Sequence, residues 1–368
     1  MSVYIISSRP VKKTANPKKE VFSKPGSDRA QANFRIARCD VSEDNKKIDY
    51  TILKDIGTPD YNKVVKVLSG AANVSSLGGT EAMFYDLYKS MSTDPNRADV
   101  LFFIHGFATS FDDELEHILL LKKLYIDNPD CPTQHLIYLS WPTSDNMALT
   151  YWSDKEDSIV TGQALARIYV KLNNFFHTMF RKYNEESCGQ KIHLMAHSMG
   201  NQVLKQTMGS LAEKYIVPFL GEIILVHADV SSDSFEKNQP LAKLEKLGQR
   251  THIYVNKSDD ALTISTTTKN FSKRLGKTGP TNLKELEGET FVIDVTGLKC
   301  DTESDSFFEK LKIRIGDHWG YMYSKDQVED IIRVLKGVDE RRIAHRKRHD
   351  LFPNYFYLGA ENITEVQR

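Results

Sequence analysis

The stretch KIHLMAHSMGNQVLKQTMGSLAEKY, residues 191–215, opens with an apolar run ending at Ala196, passes a serine at Ser198 and turns amphipathic after Gly200. It reads as strand, sharp turn and helix. A turn that lifts a serine hydroxyl out of a sheet needs small residues two before and two after it, because strand and helix approach closely there. Ala196 and Gly200 meet that need, with an alanine where a glycine is usual. Small-x-Ser-x-Gly is a weak signal by itself; its position between a buried strand and a helix gives it weight.

From Asp99 onward, apolar runs alternate with longer helical patterns on both sides of this stretch: VLFFIH, HLIYLSW, EIILVHA, THIYV and FVIDV. Near-continuous apolar strands separated by helices specify an α/β fold with a mostly parallel sheet covered on both faces. Helices are expected over 112–126, 157–183, 202–215, 239–247 and 325–335, joined by right-handed crossovers. Upstream, VYIISS at 3–8 predicts an edge strand and the Lys/Pro/Ser/Gly-rich segment 10–30 a mobile loop. NFRIARCDV and DYTILKDI predict a hairpin, and TEAMFYDLYKSM a helix. The expected organisation is 1–95 as strands and loop entering the sheet, 96–338 as the core, and 339–368 as a basic and aromatic tail. Within 96–338, the stretch 266–289 reads as a surface excursion. In the tail, Arg341, Arg342, His345, Arg346, Lys347, Arg348 and His349 read as a solvated helix face.

The length of 368 residues fits one large domain with an extension as well as it fits two domains. Lys+Arg total 49 and Asp+Glu total 49, and a formal charge of zero disfavours a dedicated nucleic-acid binder. No run approaches the ~20 apolar residues of a membrane-spanning helix. The opening MSVYIISSRPVKK puts its apolar run before its lysines, the wrong order for a secretory signal, so a cytoplasmic protein is expected. Cys39, Cys131, Cys188 and Cys300 form no C-x-x-C pair, which suggests free thiols rather than a disulfide framework or a zinc knuckle.

The elbow would set Ser198 at the positive end of a helix, which makes the Met199 N–H a candidate oxyanion donor. A second donor should follow an earlier central strand, and VLFFIHGFATSF offers the Phe107 N–H just after His105 and Gly106. Serine is a poor nucleophile, so a histidine base and an acid must arrive downstream in the order Ser, Asp, His. Asp259 and Asp260 follow the strand THIYV, and His318 in DHWGYMYS precedes the last core helix. Asp229, after EIILVHA, is a rival acid, ranked behind Asp259 and ahead of Asp260. His105 and His197 read as packing or hydrogen-bonding residues, and His193 and His227 as satisfied core residues. The spacing of His193 and His197 on a strand is not the helical metal face of H-E-x-x-H, so neither a metal nor a cofactor is expected. The segment SWPTSDNMALTYWSDKEDS, with Trp141, Met147, Tyr151 and Trp152, is expected to form a wall or lid of an acyl pocket.

Several blocks together resemble a bacterial, esterase-like branch of the α/β-hydrolase superfamily catalogued as a domain of unknown function. FIHGFATSF is similar to its oxyanion strand, LSWPT to the next strand end, and AHSMGN to its elbow. ADVSSDSF, YVNKSDDALTIS, IDVTG and DHWGY are similar to its acidic loop, acid strand, terminal strand and histidine loop. The blocks span about residues 99–323, with VYIISSRP and FRIARCDV similar to its first strands. The resemblance implies an α/β-hydrolase fold with an N-terminal strand extension. It implies Ser198 as nucleophile and His318 as base. Asp259 follows as acid because the family pattern is Asp-x-Ala-Leu, Asp260 filling the variable position. The activity expected is a serine hydrolase cleaving a carboxylic ester or related acyl compound through an acyl-enzyme. An acyltransferase, thioesterase or peptidase would use the same triad, and a silent hydrolase fold could serve as a binding protein. The expected partner is a small acyl substrate, with no nucleic acid and no membrane segment; the acyl group and the oligomeric state are not specified.

Overall fold

The apolar runs become neighbours in one sheet. The computed structural model describes residues 2–359 apart from 17–18, 25–27, 55–56, 94–98, 144–149, 183–188, 267–271, 287 and 301–315. Its strands are β1 (Ser2–Ser7), β2 (Val11–Lys12), β3 (Val21–Phe22), β4 (Arg35–Val41), β5 (Ile48–Ile52), β6 (Asp99–Ile104), β7 (Thr133–Ser140), β8 (Ile192–His197), β9 (Leu220–Val226), β10 (Gly248–Val255), β11 (Thr290–Asp294), β12 (Arg346–Arg348) and β13 (Tyr355–Leu358). An 11-stranded sheet runs β12-β13-β11-β10-β9-β8-β6-β7-β1-β4-β5, while β2 and β3 pair separately. From β13 across to β1 every pairing is parallel, and only the margins, β12 on β13 and β1-β4-β5, are antiparallel.

The helices are α1 (Tyr61–Leu68), α2 (Gly79–Thr93), α3 (Phe111–Leu121), α4 (Tyr151–Lys182), α5 (Gly200–Ser210), α6 (Asp260–Ile264), α7 (Leu275–Thr278), α8 (Gly320–Tyr323) and α9 (Lys325–Leu335). Side chains alternate across a strand, so an apolar run with both faces covered feeds two cores. In β6, Val100, Phe102 and Ile104 join the core under α1, α2, α4 and α5. Leu101 and Phe103 join the other core, under α3, α8 and α9. This is the α/β-hydrolase arrangement expected of the sequence. Among the described residues no helix is long and apolar enough to cross a membrane.

Several boundaries differ from the sequence reading. VYIISS is not an edge strand: β1 lies between β7 and β4, and Val3 to Ser7 are buried. Its unbroken apolar run is that of a strand covered on both faces. The 10–30 segment carries the β2–β3 hairpin, with Phe22 buried on Phe111. The helix expected from 157 begins at Tyr151, and the one expected over 239–247 is a 3₁₀ segment, Pro240–Lys246, with a proline at its first position. The 112–126 pattern divides into α3 and a π-helical turn, Lys122–Ile126. The one expected over 202–215 likewise divides into α5 and a 3₁₀ turn, Glu213–Tyr215. Cys39, Cys131 and Cys300 are free thiols, and Cys188 lies outside the described residues.

The segment expected to be a tail from 339 completes the sheet. β12 and β13 add two strands, with Tyr355 and Phe356 buried. Arg346 is not part of a solvated helix face: its guanidinium, 1% exposed, binds Asp330 at 2.7 Å and also pairs with Glu340. Most of its basic neighbours are exposed as expected, but on a strand and its flanks. A buried guanidinium needs paired carboxylates, and Asp330 of α9 supplies one from a helix packed on the sheet.

Candidate active site

The turn after β8 is built by close approach. Ser198 has φ +50, a conformation a non-glycine residue adopts only when its surroundings impose it. Its N–H donates to Val226 O at 3.1 Å, its carbonyl accepts from Asp229 N at 3.0 Å, and Asn201 Nδ2 ties Ala196 O and Ser198 O at 2.8 and 3.2 Å. A Cβ on Gly200 would stand 2.6 Å from the carbonyl oxygens of Ile104 and His105. A Cβ on Gly106 would stand 2.8 Å from Ser198 Cβ. Both glycines are therefore required by contact between the β8 elbow and the loop after β6.

That loop is braced from beneath. Arg9 Nη2 binds Glu114 Oε1 at 2.6 Å with both side chains buried, and Glu114 reaches His105 Nε2 at 3.2 Å. Burial would raise the Glu114 carboxyl, but the Arg9 guanidinium beside it holds it below the usual range. His105 Nε2 also accepts from Trp141 N, and the indole N–H of Trp141 donates to His105 O, each at 3.0 Å. Trp141 is thus a core brace rather than part of a lid. Met147 lies outside the described residues. Tyr151 sits on the first turn of α4, its ring 5.6 Å from that of Phe107, and Trp152 beside it is 55% exposed. Among the described residues neither the Phe107 nor the Met199 N–H is taken up by a main-chain carbonyl.

Asp259 folds where a helix starts. It caps α6, Oδ1 accepting Leu262 N–H at 2.9 Å, which leaves Oδ2 for other donors. His318, on the 3₁₀ turn Gly316–Trp319, donates Nδ1–H to that oxygen at 2.6 Å. Both side chains are buried. Burial would raise the Asp259 carboxyl, yet His318 and His227 hold it well below the usual carboxylate range. The His318 ring is 4.7 Å from that of His197, the residue just before Ser198. His197 Nε2–H donates to His318 O at 3.0 Å, and burial beside two other imidazoles pushes its own pKa well down, so it stays neutral. Ser198, Asp259 and His318 thus come from three separate loops to one end of the parallel strands.

The rival acids have other partners. Asp260 is exposed on α6. Asp229 binds Arg274 Nε at 2.8 Å, Ser265 Oγ at 2.7 Å and Tyr151 Oη at 3.0 Å. Its partners are a cation and two hydroxyls rather than an imidazole. His193 is a satisfied core residue, between Asp99 at 3.2 Å and the N–H of Glu222 at 3.0 Å. His227 is buried too, just past the end of β9 with φ +48, and its Nδ1 stands 3.3 Å from Asp259 Oδ2. Sequence reading missed it by running the strand through it. Donor atoms of His227, Asp259 and His318 lie within 4.8 Å of one another. Grooves of about 290 and 690 Å³ lie elsewhere, lined by residues such as Arg35 and Lys171 or Glu213 and Lys243.

Compared with curated proteins, the chain finds no match. A family model described as an alpha/beta hydrolase of unknown function (DUF900) matches residues 81–312, well over half the chain. The match takes in Phe107, Ser198, Met199 and Asp259 and ends just short of His318. With that extent of match and this sheet, the chain belongs to the DUF900 family of alpha/beta hydrolases.

Proposed function

We propose that the protein is a serine hydrolase that cleaves a carboxylic ester or a related acyl compound through an acyl-enzyme. The observation that carries this reading is the buried 2.6 Å contact between His318 Nδ1 and Asp259 Oδ2. A ring that gives its Nδ1–H to a carboxylate keeps a lone pair on Nε2, the tautomer a general base needs. Ser198, on its strained turn one residue after His197, is the hydroxyl that base would serve.

In this mechanism His318 Nε2 takes the Ser198 proton while Oγ bonds to the carbonyl carbon. The carbonyl electron pair moves onto its oxygen, where the N–H groups of Phe107 and Met199 receive it. The tetrahedral species collapses, the C–O bond to the alcohol breaks, and the imidazolium returns its proton to the departing oxygen. Water, deprotonated by the same imidazole, then attacks the acyl carbon; the bond to Ser198 Oγ breaks, the imidazolium returns its proton to that oxygen, and the acid leaves. Asp259 stabilises the imidazolium at each stage. Loss of one oxyanion donor costs ~3 kcal/mol of transition-state stabilisation. The edge-to-face rings of Phe107, Tyr151 and Trp152, spaced 5.6 and 5.7 Å, offer an apolar surface for the acyl chain.

Hydrolysis of a chain-length series of nitrophenyl esters, by the protein and by Ser198→Ala, tests the reading. The variant should lose on the order of 10⁶ in kcat. A variant that hydrolyses the series at the unsubstituted rate would sink it.

A further inference from the structure

Asp259 Oδ2 faces two imidazoles. His318 donates to it at 2.6 Å, and His227 Nδ1 lies 3.3 Å from the same oxygen, with the His227 and Asp259 side chains fully buried. The position of His227 is imposed by the fold. Its φ is +48, unfavourable for a side chain of this kind. Its N–H is tied to Tyr254 O at 3.2 Å. Gly276 lies so close beneath it that a Cβ there would stand 2.6 Å from the His227 Cα and 2.2 Å from its carbonyl carbon. These contacts fix the main chain at His227, from which the ring reaches Asp259 at 3.3 Å.

We propose that His227 is a positioning residue, a second imidazole that shares Asp259 Oδ2 with His318 and so limits how tightly the acid holds the proton on His318. The proposal rests on the serine-hydrolase reading for its catalytic consequence, though not for the sharing itself. A carboxylate oxygen bonded to one imidazole concentrates its charge there and raises that ring's affinity for a proton. A second N–H on the oxygen disperses the charge, leaving the base readier to return its proton to the leaving group. The groups facing the His318 ring are Asp259 at the start of α6, His227 past β9 and His197 at the end of β8. Trp319 follows it in the chain, and His117 of α3 packs tilted against that indole, ring centres 4.9 Å apart. His197 and His117 are both pushed toward neutrality by burial, so they add no charge to the balance.

Two measurements test this. In the intact protein with ¹⁵N-labelled histidine, the Nδ1 atoms of both His227 and His318 should carry a proton across about pH 5 to 8. That readout does not depend on any substrate being turned over. In His227→Phe the acid limb of kcat/KM should move up by roughly 0.5–1 pH unit, and His227→Asn, which restores an N–H donor, should bring it back toward the original position. An unprotonated His227 Nδ1 through that range overturns the proposal even if His227→Phe fails to fold. An acid limb that stays in place in a folded His227→Phe overturns it too. If no ester is cleaved by the unsubstituted protein, the hydrolase reading fails and the nitrogen signals still decide whether the carboxylate is shared.

Discussion

Gly106 and Ser198 meet so closely that a single methyl group on the glycine would stand 2.8 Å from the serine Cβ and 2.9 Å from His197 Nδ1. Neither neighbour is the far end of a flexible side chain, so the elbow itself must yield. Gly106→Ala should therefore lower kcat/KM by about 100-fold or more, the usual effect of moving a reacting group by an ångström. Gly209→Ala is the control. Its nearest contact is 3.7 Å away, and alanine on α5 should raise stability by about 0.5–1 kcal/mol without touching activity.

Two aspartates compete for the acid role, and their partners separate them. Asp259→Asn removes the acceptor of His318 Nδ1–H and should lower kcat by about 10⁴. Asp229→Asn leaves Arg274 without its carboxylate at 2.8 Å, so the main effect should be on stability. Parallel kinetics and urea unfolding of the two variants check this. A larger loss of kcat in Asp229→Asn than in Asp259→Asn, at equal stability, would reverse the assignment.

The Arg9–Glu114 pair holds the loop after β6 with both side chains buried. Arg9→Met strands a buried carboxylate and should cost about 3–5 kcal/mol, while Arg9→Met combined with Glu114→Leu should cost markedly less. A double-mutant cycle by urea unfolding measures the coupling. Additive losses would mean that the pair does not act as a unit.

Burial pushes the His117 imidazole down to about 4. An unfolded histidine titrates near 6.5, so between those values the unfolded chain binds a proton that the folded chain refuses. Stability then falls as pH drops, by about 2 kcal/mol between pH 7 and 5 from this residue alone. His197, shifted in the same direction, adds to the slope. Urea midpoints of the protein and of His117→Leu at the two pH values should differ by that share, and an identical pH slope in both would contradict it.

Much of this architecture was legible because its strands are buried on both faces. Runs such as DVLFFI and IHLMAH are long enough to read without context, and the small residues around Ser198 carry the turn geometry directly. The aspartate was harder. Asp229 and Asp259 both follow strands, and what separates them is a tertiary contact with a residue 59 positions further on. His227 was illegible for a related reason: a histidine after ILV continues an apolar pattern, and neither its positive φ nor the close approach of Gly276, distant in sequence, shows in a local window. Arg346 was misread because charge in a local window says nothing about the carboxylates of α9 that receive it. Residues 301–315, between β11 and the His318 turn, lie outside the described part of the chain.

Mass spectrometric mapping of the residue modified by a fluorophosphonate, in the full chain at neutral pH, probes the proposed hydroxyl most directly. The adduct should fall on the peptide bearing Ser198 and form at least several hundredfold faster than in His318→Ala, because an isolated serine has no base to activate it. An adduct on any other residue, or a Ser198 adduct that forms equally fast without the imidazole, would contradict the account.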